Sequence, residues 1–296
     1  MGPPGRTYSN PIIDRYLADP FILPAEDAYY LYASHAAAGG RFVPIWRSQD
    51  LVTWKFVRGA VAQGTPGAWN RRNFWAPEVL VHDERYWLYY TAMPDGTEGN
   101  TGNRVGLAVA NAPAGPFEDL GVVVPHAAID GSPFLDADGS LWLYFAGEFG
   151  NDRGLAQGRI YADRLLAPDR VAGEPVEVMG RHKGQEGPCL LLRDGRYYLF
   201  YSLGSWGKDD YRVAWAVGDS PAGPFEEGPG FLLESTADVK GPGHHNFFRG
   251  PDGKDWVIYH GWDPAFTARY PRIDPVHWRD GRPGTLGPTS TPQPLP

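Results

Sequence analysis

Hydrophobic positions along the chain gather in short runs, each set off by a polar turn. Five runs share one pattern of aromatic and branched residues: Tyr29–Ser34 (YYLYAS), Tyr86–Thr91 (YWLYYT), Leu141–Ala146 (LWLYFA), Tyr197–Ser202 (YYLFYS) and Asp255–His260 (DWVIYH). Their third residues are Leu31, Leu88, Leu143, Leu199 and Val257, spaced by 57, 55, 56 and 58 positions. Random placement of strands does not give intervals that even. A turn precedes every run: Ala25-Glu26-Asp27, His82-Asp83-Glu84-Arg85, Asp136-Ala137-Asp138-Gly139, Arg193-Asp194-Gly195 and Pro251-Asp252-Gly253. Before each turn stands another short apolar strand (FIL, EVLV, SPFL, PCLLL, NFF), so each unit opens with a hairpin.

A second echo supports the repeat. Asn111–Phe117 reads NAPAGPF and Asp219–Phe225 reads DSPAGPF, 108 residues apart and close to two periods, with SQDLVTW (Ser48–Trp54) at the comparable place in the first unit. A period near 56 with about four short strands per unit is the signature of a propeller blade. The pattern predicts an all-β, five-bladed β-propeller, read as one domain over residues 1–296 with blades starting near 19, 75, 130, 186 and 244. A large β-sandwich is the alternative, but it needs no internal repeat. The Pro-rich tail Gly287–Pro296 is expected to lie over the propeller or to help close it.

Composition narrows the function. The 296 residues include 38 Gly and 29 Pro, which disfavours long helices, while 42% are hydrophobic and 14% aromatic, enough for a core. The net charge is −8 and no Lys/Arg run occurs, so no nucleic-acid footprint is visible. Cys189 stands alone, which excludes an internal disulfide and a multi-cysteine metal site. No apolar stretch of membrane-spanning length appears, so no membrane partner is expected. The start, Met1-Gly2-Pro3-Pro4-Gly5-Arg6, has no apolar segment behind it and reads as cytoplasmic. Oligomeric state has no sequence signal. Ser205-Trp206-Gly207-Lys208 matches S-x-x-K without its partner motifs, and no G-x-S-x-G, P-loop or H-E-x-x-H is present.

The inner strands of a propeller converge on its axis, so a polar residue at the start of each faces a shared cavity. The five starts read Leu17-Ala18-Asp19-Pro20-Phe21, Trp75-Ala76-Pro77-Glu78, Ile129-Asp130-Gly131-Ser132, Gln185-Glu186-Gly187-Pro188-Cys189 and Gly243-His244-His245-Asn246. Four blades supply a carboxylate and the fifth a histidine, and equal phase is expected to bring them together. One Asp-Pro alone is an ordinary strand-start turn. A converging set is the material of acid–base chemistry, because carboxyls forced close cannot all ionise. An ionised base and a protonated acid facing each other across a sugar are the core of glycoside hydrolysis. Aromatic rings stack on sugar C–H faces, which makes Trp75, Trp46, Trp206 and Phe74 candidates for substrate binding. Taken singly, each of these rings is better explained by packing between blades, since propeller sheets pack on aromatics.

These motifs resemble glycoside hydrolase family 43 over essentially the whole chain: ADPF (Ala18–Phe21), WAPE (Trp75–Glu78), IDGSPF (Ile129–Phe134), QEGP (Gln185–Pro188) with RYYLFYS (Arg196–Ser202), and GPGHHNFF (Gly241–Phe248) with IYHG (Ile258–Gly261). Each is weak alone; in this order, one per blade, they are specific. The resemblance implies an inverting glycosidase in which Asp19 is the general base, Glu186 the general acid and Asp130 the group that raises the pKa of Glu186 and holds it. Glu78 is expected to support the site. His244 resembles the family's blade-five histidine beside an axial calcium held largely by water, which implies a nonessential structural Ca2+ and no required cofactor. Arg269 resembles a late arginine that binds sugar hydroxyls.

Retaining five-bladed fructan hydrolases begin with Asn-Asp-Pro and carry Glu-Cys at the acid; here the motifs are Ala18-Asp19-Pro20 and Glu186-Gly187. A noncatalytic carbohydrate-binding propeller would lack the acid or base, and all three positions are filled. The expected activity is exo release of pentose from an arabinan- or arabinoxylan-type oligosaccharide, by an α-L-arabinofuranosidase, with β-D-xylosidase or a bifunctional enzyme as the alternative. The loops Met93–Arg104, Gly147–Gly158 and Leu203–Tyr211, rich in Gly, Asn and Asp, are expected to shape the subsites.

Overall fold

A computed structural model describes residues 6–25, 27–148 and 155–296. Glu26 of the first predicted turn and residues 149–154 of the second rim loop lie outside the described residues. Among the described residues the regular structure is strand, apart from one 3-10 turn at Ala38–Gly40. None of its helices is long and apolar enough to cross a membrane.

Five sheets form the five blades. Blade 1 is built from Phe21–Pro24, Tyr29–Tyr32, Arg41–Ser48 and Lys55–Ala62. Blade 2 runs Arg72–His82, Arg85–Met93, Arg104–Ala110 and Glu118–Val122. Blade 3 runs Ala128–Leu135, Leu141–Gly147, Ile160–Ala167 and Arg170–Val171, with Val176–Met179 as a further partner of its third strand. Blade 4 runs Glu186–Arg193, Arg196–Leu203, Arg212–Gly218 and Glu226–Glu227. Blade 5 runs Lys240–Arg249, Asp255–Trp262, Arg269–Arg279 and Arg282–Thr285. Every blade is an antiparallel meander in chain order, as the hairpin-first repeat predicts.

The core lies between the blades. Each hydrophobic cluster joins two neighbouring sheets, as where Tyr32 and Val43 of blade 1 meet Leu88 and Tyr90 of blade 2. The last joins blade 5 back to blade 1 through Ile258, Trp256, Ile22 and Leu31. The repeated third residues Leu31, Leu88, Leu143, Leu199 and Val257 are all fully buried, which is why the period could be read from them. Burying a side chain of this size contributes about 1.5–3 kcal/mol, summed over five interfaces.

The chain ends meet. Thr7–Tyr8 pairs antiparallel with Gln293–Pro294, so the Pro-rich tail does take part in closure. Beneath that pair sits the buried carboxylate of Asp274, which accepts from the hydroxyls of Tyr8 (3.1 Å), Tyr259 (2.6 Å) and Thr289 (2.7 Å).

Candidate active site

The blade starts do not share one phase. Register places Trp75 opposite Thr91, Ile129 opposite Ala146, Glu186 opposite Ser202 and Gly243 opposite His260. The next residue in each blade is therefore equivalent: Ala76, Asp130, Gly187 and His244, joined by Asp19 in blade 1. All five have positive φ, from 47° to 62°. The backbone kinks there, and the ladder bulges just beyond in four of the five blades. Asp19, Asp130 and His244 thus form one ring of side chains around the axis. Glu186 reaches the same cavity from one residue earlier. Gly187 leaves room beside it, since a Cβ there would come within 3.3 Å of His244 Nδ1.

Glu78 departs from the expectation of equal phase. It lies two residues past Ala76, about 7 Å deeper at the rise of a strand, in a second ring with Ser132, Cys189 and Asn246. It does not line the cavity. Its carboxylate accepts from Ser132 Oγ at 2.8 Å, and the surrounding protein pushes its pKa up to about 8 despite hydrogen bonds to Ser132 and Asn246.

The cavity at the axis measures about 400 Å³. Asp19, Asp130, Glu186, His244, Trp75 and Arg269 all line it. The loops add Asn100, Glu148 and Trp206, one from each segment named as a rim loop. Trp206 is half exposed and stacks on Trp262, with ring centroids 6.0 Å apart.

Two aromatic candidates are corrected. Trp46 sits on the third strand of blade 1, away from the axis, and packs edge-on to Phe56 among the residues between blades 5 and 1. Phe74 is buried, stacked on Phe42 at 3.9 Å and parallel to Tyr90. Successive strand side chains point to opposite faces, so Trp75 faces the cavity and its neighbour faces the core. The same alternation turns His245 away from the axis, into contact with Phe200 and Phe247.

Electrostatics separate the three carboxyls. Burial alone would raise Asp19, yet it is held well below the ordinary carboxylate range by His244, Arg269 and His260. Asp19 Oδ1 lies 3.2 Å from His260 Nδ1, 3.4 Å from Arg269 Nη1 and 3.6 Å from His244 Nδ1; Oδ2 accepts from Ser34 Oγ. Burial lowers both imidazoles, His260 to about 4. At neutral pH, then, Arg269 is the standing cation beside Asp19. Its guanidinium is buried, holds Tyr16 OH through Nε and Nη2, and lies over Trp206 at 4.7 Å.

Glu186 goes the other way. Protein surrounds it on all sides even though part of its surface opens to the cavity, and this burial raises it to about 7. The Tyr211 hydrogen bond opposes the rise, and the charges of Asp19 and Glu148 add to it. Asp130 is raised as well, by burial, by Glu186 and by Asp19, against one backbone hydrogen bond from Gly187 N at 2.9 Å. One carboxyl held low and one raised to about 7 therefore line the same cavity, with a third tied to the peptide beside Glu186.

Sequence reasoning missed Tyr211 and His260. Tyr211 OH donates to Glu186 Oε1 at 2.7 Å, which leaves Oε2 clear of that bond. Its ring stacks on His260 with planes 8° apart, and Gly243 makes room, since a Cβ there would fall within 2.2 Å of the tyrosine ring. His260 closes the fifth repeated run, at the place of Ser34, Thr91 and Ser202, so alignment of the repeats could have found it. Tyr211 follows a loop and has no such signal.

His244 marks the place expected for an axial calcium. Among the described residues no group of three or more His, Cys, Asp or Glu is placed to hold a metal. The imidazole of His244 is one nitrogen donor where calcium takes six to eight oxygens. An ion on the axis would therefore take most of its oxygens from water, and no chemical step runs through it.

Comparison with known proteins agrees with this geometry. The family model described as "Glycosyl hydrolases family 43" matches residues 8–283. A β-D-galactofuranosidase of Aspergillus niger is 30% identical over 89% of this chain and 79% of its own length. An extracellular exo-α-(1→5)-L-arabinofuranosidase of Cellvibrio japonicus is 26% identical over 88% of this chain and 83% of its own. Among solved structures, a thermostable family-43 glycoside hydrolase superposes with a TM-score of 0.86 at 28% identity, covering 98% of this chain and 99% of that one. A repeat of five blades, an axial cavity lined by Asp19, Asp130, Glu148 and Glu186, and a match along almost the full chain have one common explanation: the chain belongs to glycosyl hydrolase family 43.

Proposed function

We propose that this glycoside hydrolase inverts configuration and releases terminal α-L-arabinofuranose from arabinan- or arabinoxylan-type oligosaccharides. The observation that carries the reading is the opposed electrostatics of Asp19 and Glu186 within one 400 Å³ cavity. Asp19 stays ionised at neutral pH and takes a proton from the attacking water. Glu186 holds its proton on Oε2 and delivers it to the departing glycosidic oxygen. Asp130 does no proton transfer; it raises and positions Glu186. Arg269 offers guanidinium N–H groups to sugar hydroxyls, and Trp75 and Trp206 offer faces for stacking. A cavity of this size is at the small end for ligand sites and suits action at a chain end.

The relative named a β-D-galactofuranosidase supports a second reading within the same chemistry. α-L-Arabinofuranose and β-D-galactofuranose share their ring stereochemistry and differ in the substituent on C4. The test is hydrolysis of aryl α-L-arabinofuranoside, β-D-galactofuranoside and β-D-xylopyranoside, with Glu186→Ala as the blank. The expected result is fastest turnover of the arabinofuranoside, lost in the variant. Faster galactofuranoside or xylopyranoside turnover overturns the choice of sugar. Sugar binding with no hydrolysis of any glycoside overturns the catalytic reading.

A further inference from the structure

Four of the five blade junctions share a hydrogen bond, three made to a hydroxyl and one to a ring nitrogen, and the fifth lacks it. In each blade the last residue of the repeated aromatic run faces the backbone N–H of the kinked residue that starts the next blade. Ser34 Oγ accepts from Ala76 N at 2.8 Å, Thr91 Oγ1 from Asp130 N at 3.0 Å, and Ser202 Oγ from His244 N at 2.8 Å. At the closing junction a ring nitrogen takes the hydroxyl's place: His260 Nδ1 lies 3.2 Å from Asp19 N. The equivalent residue of blade 3 is Ala146, buried and without an acceptor. The N–H that it would have served belongs to Gly187, and that N–H donates to Asp130 Oδ2 instead.

We propose that Ala146 is a positioning residue: the side-chain acceptor missing at this one junction frees the Gly187 N–H to anchor Asp130 against the peptide that carries Glu186. Its catalytic consequence rests on the roles given above to Asp130 and Glu186. A hydrogen bond from an N–H to a carboxylate favours the ionised carboxylate. Asp130 is faced by Glu186, Asp19 and Glu148, all acidic, and by His244 Nδ1 at 4.0 Å. The Gly187 N–H opposes the rise that burial and this acidic set impose on Asp130, and so favours its ionised form. It thereby leaves the proton shared by the pair on Glu186, where leaving-group departure needs it.

The test introduces the missing hydroxyl. In Ala146→Ser the side chain has the place that Ser34 and Ser202 show in their own blades, and it takes over the Gly187 N–H. Hydrogen bonds to charged groups are among the stronger ones in proteins. The expected effect is therefore a loss of about tenfold in kcat/KM on aryl glycosides with poor leaving groups. Highly activated leaving groups, which need no acid, should lose little. Ala146→Gly adds no acceptor and should keep the wild-type leaving-group dependence. A loss equal for all leaving groups overturns the proposal, because it marks a merely structural change.

A second readout needs no activity. The Gly187 amide signal, followed by NMR with 15N-glycine, should move when Asp130→Asn is made in the wild-type background. It should stay in place when the same change is made in the Ala146→Ser background. Movement of equal size in both backgrounds overturns the proposal. A protein that hydrolyses no glycoside would sink the proposed function, and the amide comparison would still decide who receives the Gly187 N–H.

Discussion

Replacing Tyr211 with phenylalanine removes one oxygen and leaves a ring of the same shape. The lost hydroxyl donates to Glu186 Oε1 at 2.7 Å in a site enclosed by protein. The tyrosine itself is pushed well above its ordinary pKa, by burial and then by the charge of Glu186, so it is a donor throughout the working range. A hydrogen bond to a charged group contributes roughly 1.5–3 kcal/mol. The neutral carboxyl also accepts at Oε1, so only part of this distinguishes the two protonation states. A difference of ~1.4 kcal/mol corresponds to about one pKa unit. Glu186 starts at about 7, and losing a bond that favours its ionised form raises it further. In Tyr211→Phe the alkaline limb of kcat/KM should therefore move upward by about one unit. The acid limb is set by Asp19, which stays well below 3.8, and it should not move. The assay is a pH profile on an aryl glycoside with a poor leaving group. Asp130→Asn should move the same limb downward, since it removes the acidic neighbour of Glu186. A limb that is unmoved or falls in Tyr211→Phe refutes the assignment of Glu186 as the acid whose proton Tyr211 controls.

Other perturbations give distinct results. Asp19→Asn should lower turnover by roughly 10²–10⁴-fold on all leaving groups alike, and Glu186→Gln by a similar factor on poor leaving groups and much less on activated ones, both read from initial rates. Trp206→Ala should raise KM severalfold, whereas Trp46→Ala, away from the cavity, should leave KM unchanged and lower the denaturation midpoint. Asp274→Ala strands the hydroxyls of Tyr8, Tyr259 and Thr289 beneath the closing strands, at a cost of about 3 kcal/mol in denaturant unfolding. Unchanged stability in that variant would mean that the chain ends do not hold the propeller shut.

The fold was legible because the repeat falls on buried residues. Leu31, Leu88, Leu143, Leu199 and Val257 are selected by the same packing in each blade, so their spacing reports the architecture directly. The site was legible only in part, because propeller phase is set to the residue and the motifs were aligned by composition. Asp19, Asp130 and His244 do share a ring, but Glu186 is one residue early and Glu78 two residues late, a distinction carried by positive φ and strand bulges that no composition reveals. Phe74 and Trp75 are adjacent aromatics on opposite faces of one strand, and only register tells them apart. Tyr211 reaches Glu186, and Glu148 the cavity, from loops, where no periodicity marks them.

The central claim is that Asp19 and Glu186 act as base and acid on opposite sides of one glycosidic bond. The most direct measurement is the configuration of the first sugar released, followed by proton NMR before mutarotation. The account predicts that the product of an α-L-arabinofuranoside appears first as the β anomer. First appearance of the α anomer would contradict it, because a retained configuration requires a covalent intermediate on a carboxylate here assigned to activate water.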